Sequence, residues 1–237
     1  MGAFLYGVSL QWKLDIRSKT LLITCYLVPL LFFAIMGGIF TSVTPDARYT
    51  LIQSMTVFGV SMGALIGLPP SLVEIYGSDM KKVYKANGVP LYLGLALTNL
   101  SALIHLFLMS VILYIAAPLG FHAELPEKPG TYFVSLALFI VVSLSIASVI
   151  GLAVKDQAKT SLVSIIVFLP SIMLSGIMFP VEMLPKAFEL IGKLFPAAWG
   201  YRLLSDGALQ AEHLLPLTVI FLLAVILCAI LLRRADQ

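Results

Sequence analysis

The chain has 237 residues, 60% of them hydrophobic and 11% charged, with a mean hydropathy of +1.02 and a formal net charge of +3. Soluble domains carry about 25% charged residues, so this composition excludes that class and places one membrane domain over residues 1–237. The two cysteines, Cys25 and Cys228, lie within apolar runs and offer neither a disulfide framework nor a metal-ligand spacing.

Ahead of the first apolar run, Phe4, Val8, Trp12 and Ile16 recur every fourth residue, while Gln11, Lys13, Asp15 and Arg17 lie elsewhere. The stripe predicts an amphipathic helix in the plane of the interface, with Trp12 at the headgroups; the plainer reading is a weakly helical tail. Six apolar runs follow, at about 20–40, 52–73, 91–117, 132–154, 160–179 and 214–232. Each approaches the ~20 residues that cross ~30 Å of hydrocarbon. The first is too long for a signal-peptide core and reads as a permanent anchor.

The second run holds Gly59, Gly63 and Gly67, one face of small residues that lets another backbone approach closely. That contact is either a movable seam in the core or between subunits, or static packing. Pro69-Pro70 predicts a kink or an end before Glu74. The loop from Glu74 to Pro90 can form a helix over 79–87, capped by Ser78 or Asp79 and closed by Gly88. Met80, Val83 and Tyr84 share one face of it, and Lys81, Lys82 and Lys85 another. Such a rod can dock on a partner protein or rest on anionic lipid.

In the third run, Thr98, Ser101 and His105 share a face and Asn99 is a further polar residue. Asn99 and His105 form a possible intramembrane polar site, relaying protons or binding cargo, or each makes one interhelical hydrogen bond. Ser143, Ala147 and Gly151 make another small-residue stripe in the fourth run. Residues 162–204 are the most unusual stretch. A break is expected at Pro170, then Ser175-Gly176, and the run ends at Pro180. A helix starts at Pro185, with Phe188, Ile191 and Phe195 on one side and Glu189 paired with Lys193; Pro196 ends it. Trp199 and Tyr201 suit an outer aromatic belt, and Arg202 can pair with Asp206. A segment of this kind lies on or dips into the membrane surface, as gates and lids do.

Ten of the fifteen Lys and Arg residues fall on the side holding the termini, Lys81, Lys82, Lys85, Lys155 and Lys159. The positive-inside rule makes that side, with both termini, cytoplasmic. Topology thus explains the basic balance, and no nucleic-acid partner is implied. The chain has no G-x-x-x-x-G-K-[ST] or H-E-x-x-H, and no intramembrane Asp/Glu pair. It reads as a non-enzyme that binds no cofactor of its own and holds no metal.

The run Leu174-Ser175-Gly176, Phe179-Pro180, Leu184-Pro185, Leu194-Phe195-Pro196, together with Gln157-Ala158, resembles ABC transporter permeases of the type-2, exporter-like class. Glu74, Gly77, Lys82, Gly88 and Pro90 are similar to that family's acidic, Gly-Thr, Leu, Pro pattern, with Ser78-Asp79 standing where Gly-Thr is usual. The resemblance implies an all-α fold with six spans, an in-plane N-terminal helix, a coupling helix after span two and outer helices between spans five and six. It implies two permease subunits, identical or sister, in the cytoplasmic membrane of a prokaryote. Separate ABC ATPase subunits would bind ATP and Mg and receive Glu74, Lys81, Lys82, Tyr84 and Lys85. It implies export, and the charge-poor spans suit an amphiphilic or apolar cargo such as a drug, lipid or peptide antibiotic. Two other readings stand beside it: a proton-coupled secondary transporter using His105, and a non-transporting scaffold or immunity protein.

Overall fold

Backbone amides in an apolar run have no water to bond, and a helix satisfies them within the segment. The computed structural model describes residues 7, 9, 11–13, 16–77, 84, 86 and 90–236, and among these every regular element is helical. The chain opens with α1 (Lys19–Leu22), a π-helical turn (Ile23–Leu27) and α2 (Val28–Val43). A 3-10 turn (Pro45–Tyr49) leads to α3 (Leu51–Met62), a second π turn (Gly63–Gly67) and α4 (Leu68–Tyr76). Then come α5 (Leu91–Phe121), α6 (Pro129–Ala153), α7 (Gln157–Met173), a 3-10 turn (Val181–Met183), α8 (Lys186–Gly192), α9 (Pro196–Ser205) and α10 (Ala211–Asp236).

Among the described residues, five helical stretches are long and apolar enough to cross a membrane: Ile23–Val43, Leu51–Tyr76, Leu91–Phe121, Pro129–Ala153 and Ala211–Arg234. The expected sixth, over 160–179, is shorter than its apolar run. α7 has 17 residues, or ~25 Å at 1.5 Å per residue. Pro170 does not break it, because the helix continues to Met173. A proline one turn from a helix end removes a donor where few bonds remain to lose. Beyond Met173 the chain leaves the helix through Ser175, whose hydroxyl donates to the Ile172 carbonyl at 2.7 Å, and Gly176 at φ +91°.

Pro69-Pro70 likewise neither ends nor breaks its span, which runs to Tyr76. The π turn at Gly63–Gly67 lies directly before these prolines, and the one at Ile23–Leu27 lies directly before Pro29. Each proline therefore occupies the first positions of a restarted α-helix, where its missing N–H matters least.

The rod α3–α4 is the centre of the bundle. Its apolar window is 89% buried, against 17% for the last span, and every residue from 51 to 61 is enclosed. Phe58 stacks on Phe32 of α2 with centroids 3.8 Å apart and meets Phe168 of α7 edge-on at 5.8 Å. Thr56 and Tyr132 of α6 share a hydrogen bond of 2.8 Å. That bond matters because a buried hydroxyl left unpaired costs about 1–3 kcal/mol. α10 packs mainly on α6, leaving Leu215, Leu222, Leu223 and Ile226 exposed as an apolar outer face.

Candidate functional site

The glycine stripe lies inside the subunit, between the first three spans. A Cβ on Gly63 would meet Leu106 Cδ2 at 2.3 Å and Cys25 Sγ at 3.2 Å. At Gly59 it would meet Met109 Cε at 2.6 Å, and at Gly67 Thr24 Oγ1 at 3.0 Å. Glycine is what lets α2 and α5 close on the central rod. The two π turns lie against each other across this seam, with Thr24 and Cys25 of one facing Gly63 and Gly67 of the other. Gly151 repeats the arrangement on α6, where a Cβ would stand 2.7 Å from Leu72 Cβ and 3.0 Å from the Pro69 carbonyl oxygen.

At the α4 end, Glu74 is exposed. Gly77 is wedged against the turn after α6, since a Cβ there would lie 2.9 Å from the Lys155 carbonyl oxygen. Tyr76 donates its hydroxyl to the Leu91 carbonyl at 2.6 Å. Tyr84 is helical and half-buried, and its hydroxyl lies near Gly94 of α5, 3.5 Å from where a Cβ would stand, with that of Tyr76 closer at 3.2 Å. Lys81, Lys82 and Lys85 lie outside the described residues, as do Phe4 and Val8 of the N-terminal stripe.

At the opposite end of the bundle, residues 174–210 form a compact cap. Gly176 has a conformation that disfavours a side chain, and Val181 Cγ2 lies 2.8 Å from where its Cβ would be. Pro180 leads into the 3-10 turn and Pro185 caps α8, which ends at Gly192, packed on the Leu174 carbonyl. Phe188, Leu190 and Leu194 are exposed, so the apolar surface of α8 faces outward. Glu189 and Lys193 pair at 2.8 Å, as their spacing predicts. The Lys193 ammonium, as hydrogen-bond donor and as charge, holds the Glu189 carboxyl below its ordinary value, with Arg202 and Lys186 adding to the effect.

Pro196 does more than end one helix: it opens α9. α9 is driven into the bundle between α3, α6 and α10, where Gly200 sits against the ring of Phe139 with no room for a Cβ. Trp199 ties the two cap helices by donating Nε1–H to the Lys193 carbonyl at 2.7 Å. The pairing expected between Arg202 and Asp206 is replaced: Arg202 lies over the Trp199 ring at 5.3 Å, and Asp206 bonds His213 Nε2 at 2.6 Å. His213 is the first buried residue of α10, so it reaches the carboxylate just beyond α9 while Arg202 turns to the aromatic face. A cavity of about 620 Å³ opens beneath the cap, walled by Phe40, Ser54, Gly176, Phe179, Tyr201 and Arg202 among others.

The polar pair of the third span is split between two faces. His105 accepts or donates a 2.8 Å hydrogen bond with Tyr26, and the half-buried Trp12 stacks on its ring at 4.2 Å with planes 4° apart. Asn99 faces α6 and exchanges hydrogen bonds with Ser148 at 3.0 and 3.1 Å. Both residues thus join helices, at different seams. Sequence reasoning missed the π turns, whose only trace is a proline just after each, and the Asp206–His213 bond, whose trace is a polar pair flanking Gly207 at a helix junction.

This arrangement defines a multi-pass, all-helical membrane protein built on a buried central helix with small-residue seams. The model of the ABC-2 type transporter family matches residues 3–209, and the chain belongs to that family. It is therefore a membrane permease of an ABC transporter, a subunit type that is normally non-enzymatic and associates with ABC ATPase subunits. No curated relative matches the chain.

Proposed function

We propose that the chain is the membrane subunit of an ATP-driven exporter. It works as one of two permease subunits and moves an amphiphilic or apolar cargo across a prokaryotic cytoplasmic membrane. Both termini and the 77–90 loop lie on the cytoplasmic side, α7 with residues 174–180 completes a sixth crossing, and the cap lies outside. ATP and Mg bind the separate ATPase, whose closure pushes the loop after α4. Lys81, Lys82, Tyr84 and Lys85 receive that push, and Glu74 and Gly77 pass it to the central rod. The observation that carries this reading is the position of Gly77, at the end of the most enclosed helix and seated on the Lys155 carbonyl. Motion there reaches α3–α4 and α6 together.

The test is pull-down of the tagged chain from mild detergent with its ATPase, followed by ATP turnover in proteoliposomes. Charge reversal of Lys81, Lys82 and Lys85 should abolish stimulated turnover while the permease still folds. Intact assembly and turnover in that variant would sink the assignment of the coupling face. A cysteine placed at Phe188 should react with an impermeant maleimide from outside intact cells; labelling only after lysis would reverse the topology.

A further inference from the structure

We infer that the groove between α5 and α10 is a binding site for one anionic glycerophospholipid of the leaflet at the Arg233–Arg234 end. The groove encloses about 630 Å³ and is floored by α6. Along α5 it is lined by Tyr92, Ala96, Asn99 and Leu103, and along α10 by Phe221, Ala229 and Leu232.

Its dimensions match a lipid tail. From Tyr92 to Leu103 on α5, and from Phe221 to Leu232 on α10, the lined stretch covers eleven residue steps. At 1.5 Å per step that is ~16 Å, which is half of the ~30 Å hydrocarbon thickness and so the depth of one leaflet. The helices run antiparallel, so Tyr92 is level with Leu232 and Leu103 with Phe221.

The chemistry of the walls agrees. The polar atoms of the wall and floor are already engaged: Asn99 donates to the Leu95 carbonyl and to Ser148, and Ser148 donates to the Leu144 carbonyl. Cys228 points its thiol at the Ser145 carbonyl, 3.8 Å away. A hydrocarbon chain laid here leaves no buried donor stranded, whereas a polar occupant finds none offered. At the shallow end the character changes. Tyr92 is 64% exposed, and Arg233 and Arg234 are exposed just past Leu232, Arg233 one turn beyond Ala229 on the flank of the lining face. A phenol and two guanidinium groups at headgroup depth fit a phosphate, and the pair of fixed charges selects an anionic lipid over a zwitterionic one.

The test uses the full chain, purified and delipidated in mild detergent, with phosphatidylglycerol and phosphatidylcholine of matched chains read by native mass spectrometry. The wild type should hold one phosphatidylglycerol at least tenfold more tightly than phosphatidylcholine. Arg233→Gln with Arg234→Gln, both surface changes, should equalise the two lipids without removing binding. Ala229→Phe, or Ala96→Phe on the other wall, fills the groove from an exposed position and should abolish retention of both lipids, with unchanged thermal midpoint. Equal affinities in the wild type, or full retention in both filled variants, would overturn the proposal. So would a change of oligomeric state in the filled variants that phosphatidylglycerol does not compete with, which would make the groove a seat for a second chain.

Discussion

Alanine at Gly63 should be the most disruptive member of the series Gly59→Ala, Gly63→Ala and Gly67→Ala. The new methyl would stand 2.3 Å from Leu106 Cδ2, and Leu106 is fully buried, with Cys25 Sγ 3.2 Å away on the other side. The rod has no direction in which to retreat, so the change is an overpacking of about 1–3 kcal/mol. Replacing glycine in a helix returns ~1 kcal/mol of propensity, leaving a net loss of about 0–2 kcal/mol. Gly59→Ala meets the flexible tip of Met109, which can move aside, and should cost less. Gly67→Ala meets Thr24 Oγ1 at 3.0 Å, with Cys25 Sγ at an ordinary contact distance of 3.5 Å, and should cost the least of the three. Unfolding in mixed micelles by SDS titration, followed through Trp12 and Trp199 fluorescence, reads the order. Leu106→Val removes the opposing methyl, and the double variant with Gly63→Ala should be at least 0.5 kcal/mol more stable than additivity allows. Additive behaviour, or Gly67→Ala as the worst of the three, would refute the packing argument.

Gly176→Ala should lower the unfolding midpoint through both its φ of +91° and the 2.8 Å approach of Val181, at a cost of about 1–2 kcal/mol for the backbone alone. A matched Gly207→Ala, whose Cβ meets open space, isolates the backbone share. Trp199→Phe removes the indole donor to the Lys193 carbonyl, worth about 1 kcal/mol, and should speed amide exchange over 186–195 more than in α6. The depressed Glu189 carboxyl contributes stability only above its unfolded value, and this is lost as pH falls through the lower folded value. Comparing wild type with Glu189→Gln should show a small difference at neutral pH that vanishes in acid and in high salt, because the pair is exposed.

The apolar runs were legible because helix length and hydropathy are local properties. The glycine seam was legible too, since three small residues at i+4 spacing leave little choice of face. Pro170 reads as a break and Pro69-Pro70 as a kink or an end, yet neither ends its helix: the first falls in the last turn of α7, and the second follows a widened turn. A π turn has no residue signature of its own, so the pattern could show the strain and not its relief. Asn99 and His105 looked like one polar site because they are six positions apart in one helix, but that spacing turns them to different neighbours. The cap was expected as two surface helices. Only the contact of Gly200 with Phe139, sixty-one positions earlier, reveals that one of them is inserted.

Because the second span is enclosed on every side, it behaves mechanically as the hub of the subunit. A peripheral helix displaced along its axis would drag a single neighbour and shear lipid. A displacement of this one must be shared at once by α2, α5, α6, α7 and α9, at several points through contacts tight enough that a single added methyl would collide. In the proposed mechanism, force entering at Gly77 would spread radially before it travels outward, and would reach the cap as a change in the shape of its floor at Thr50 and Ser54.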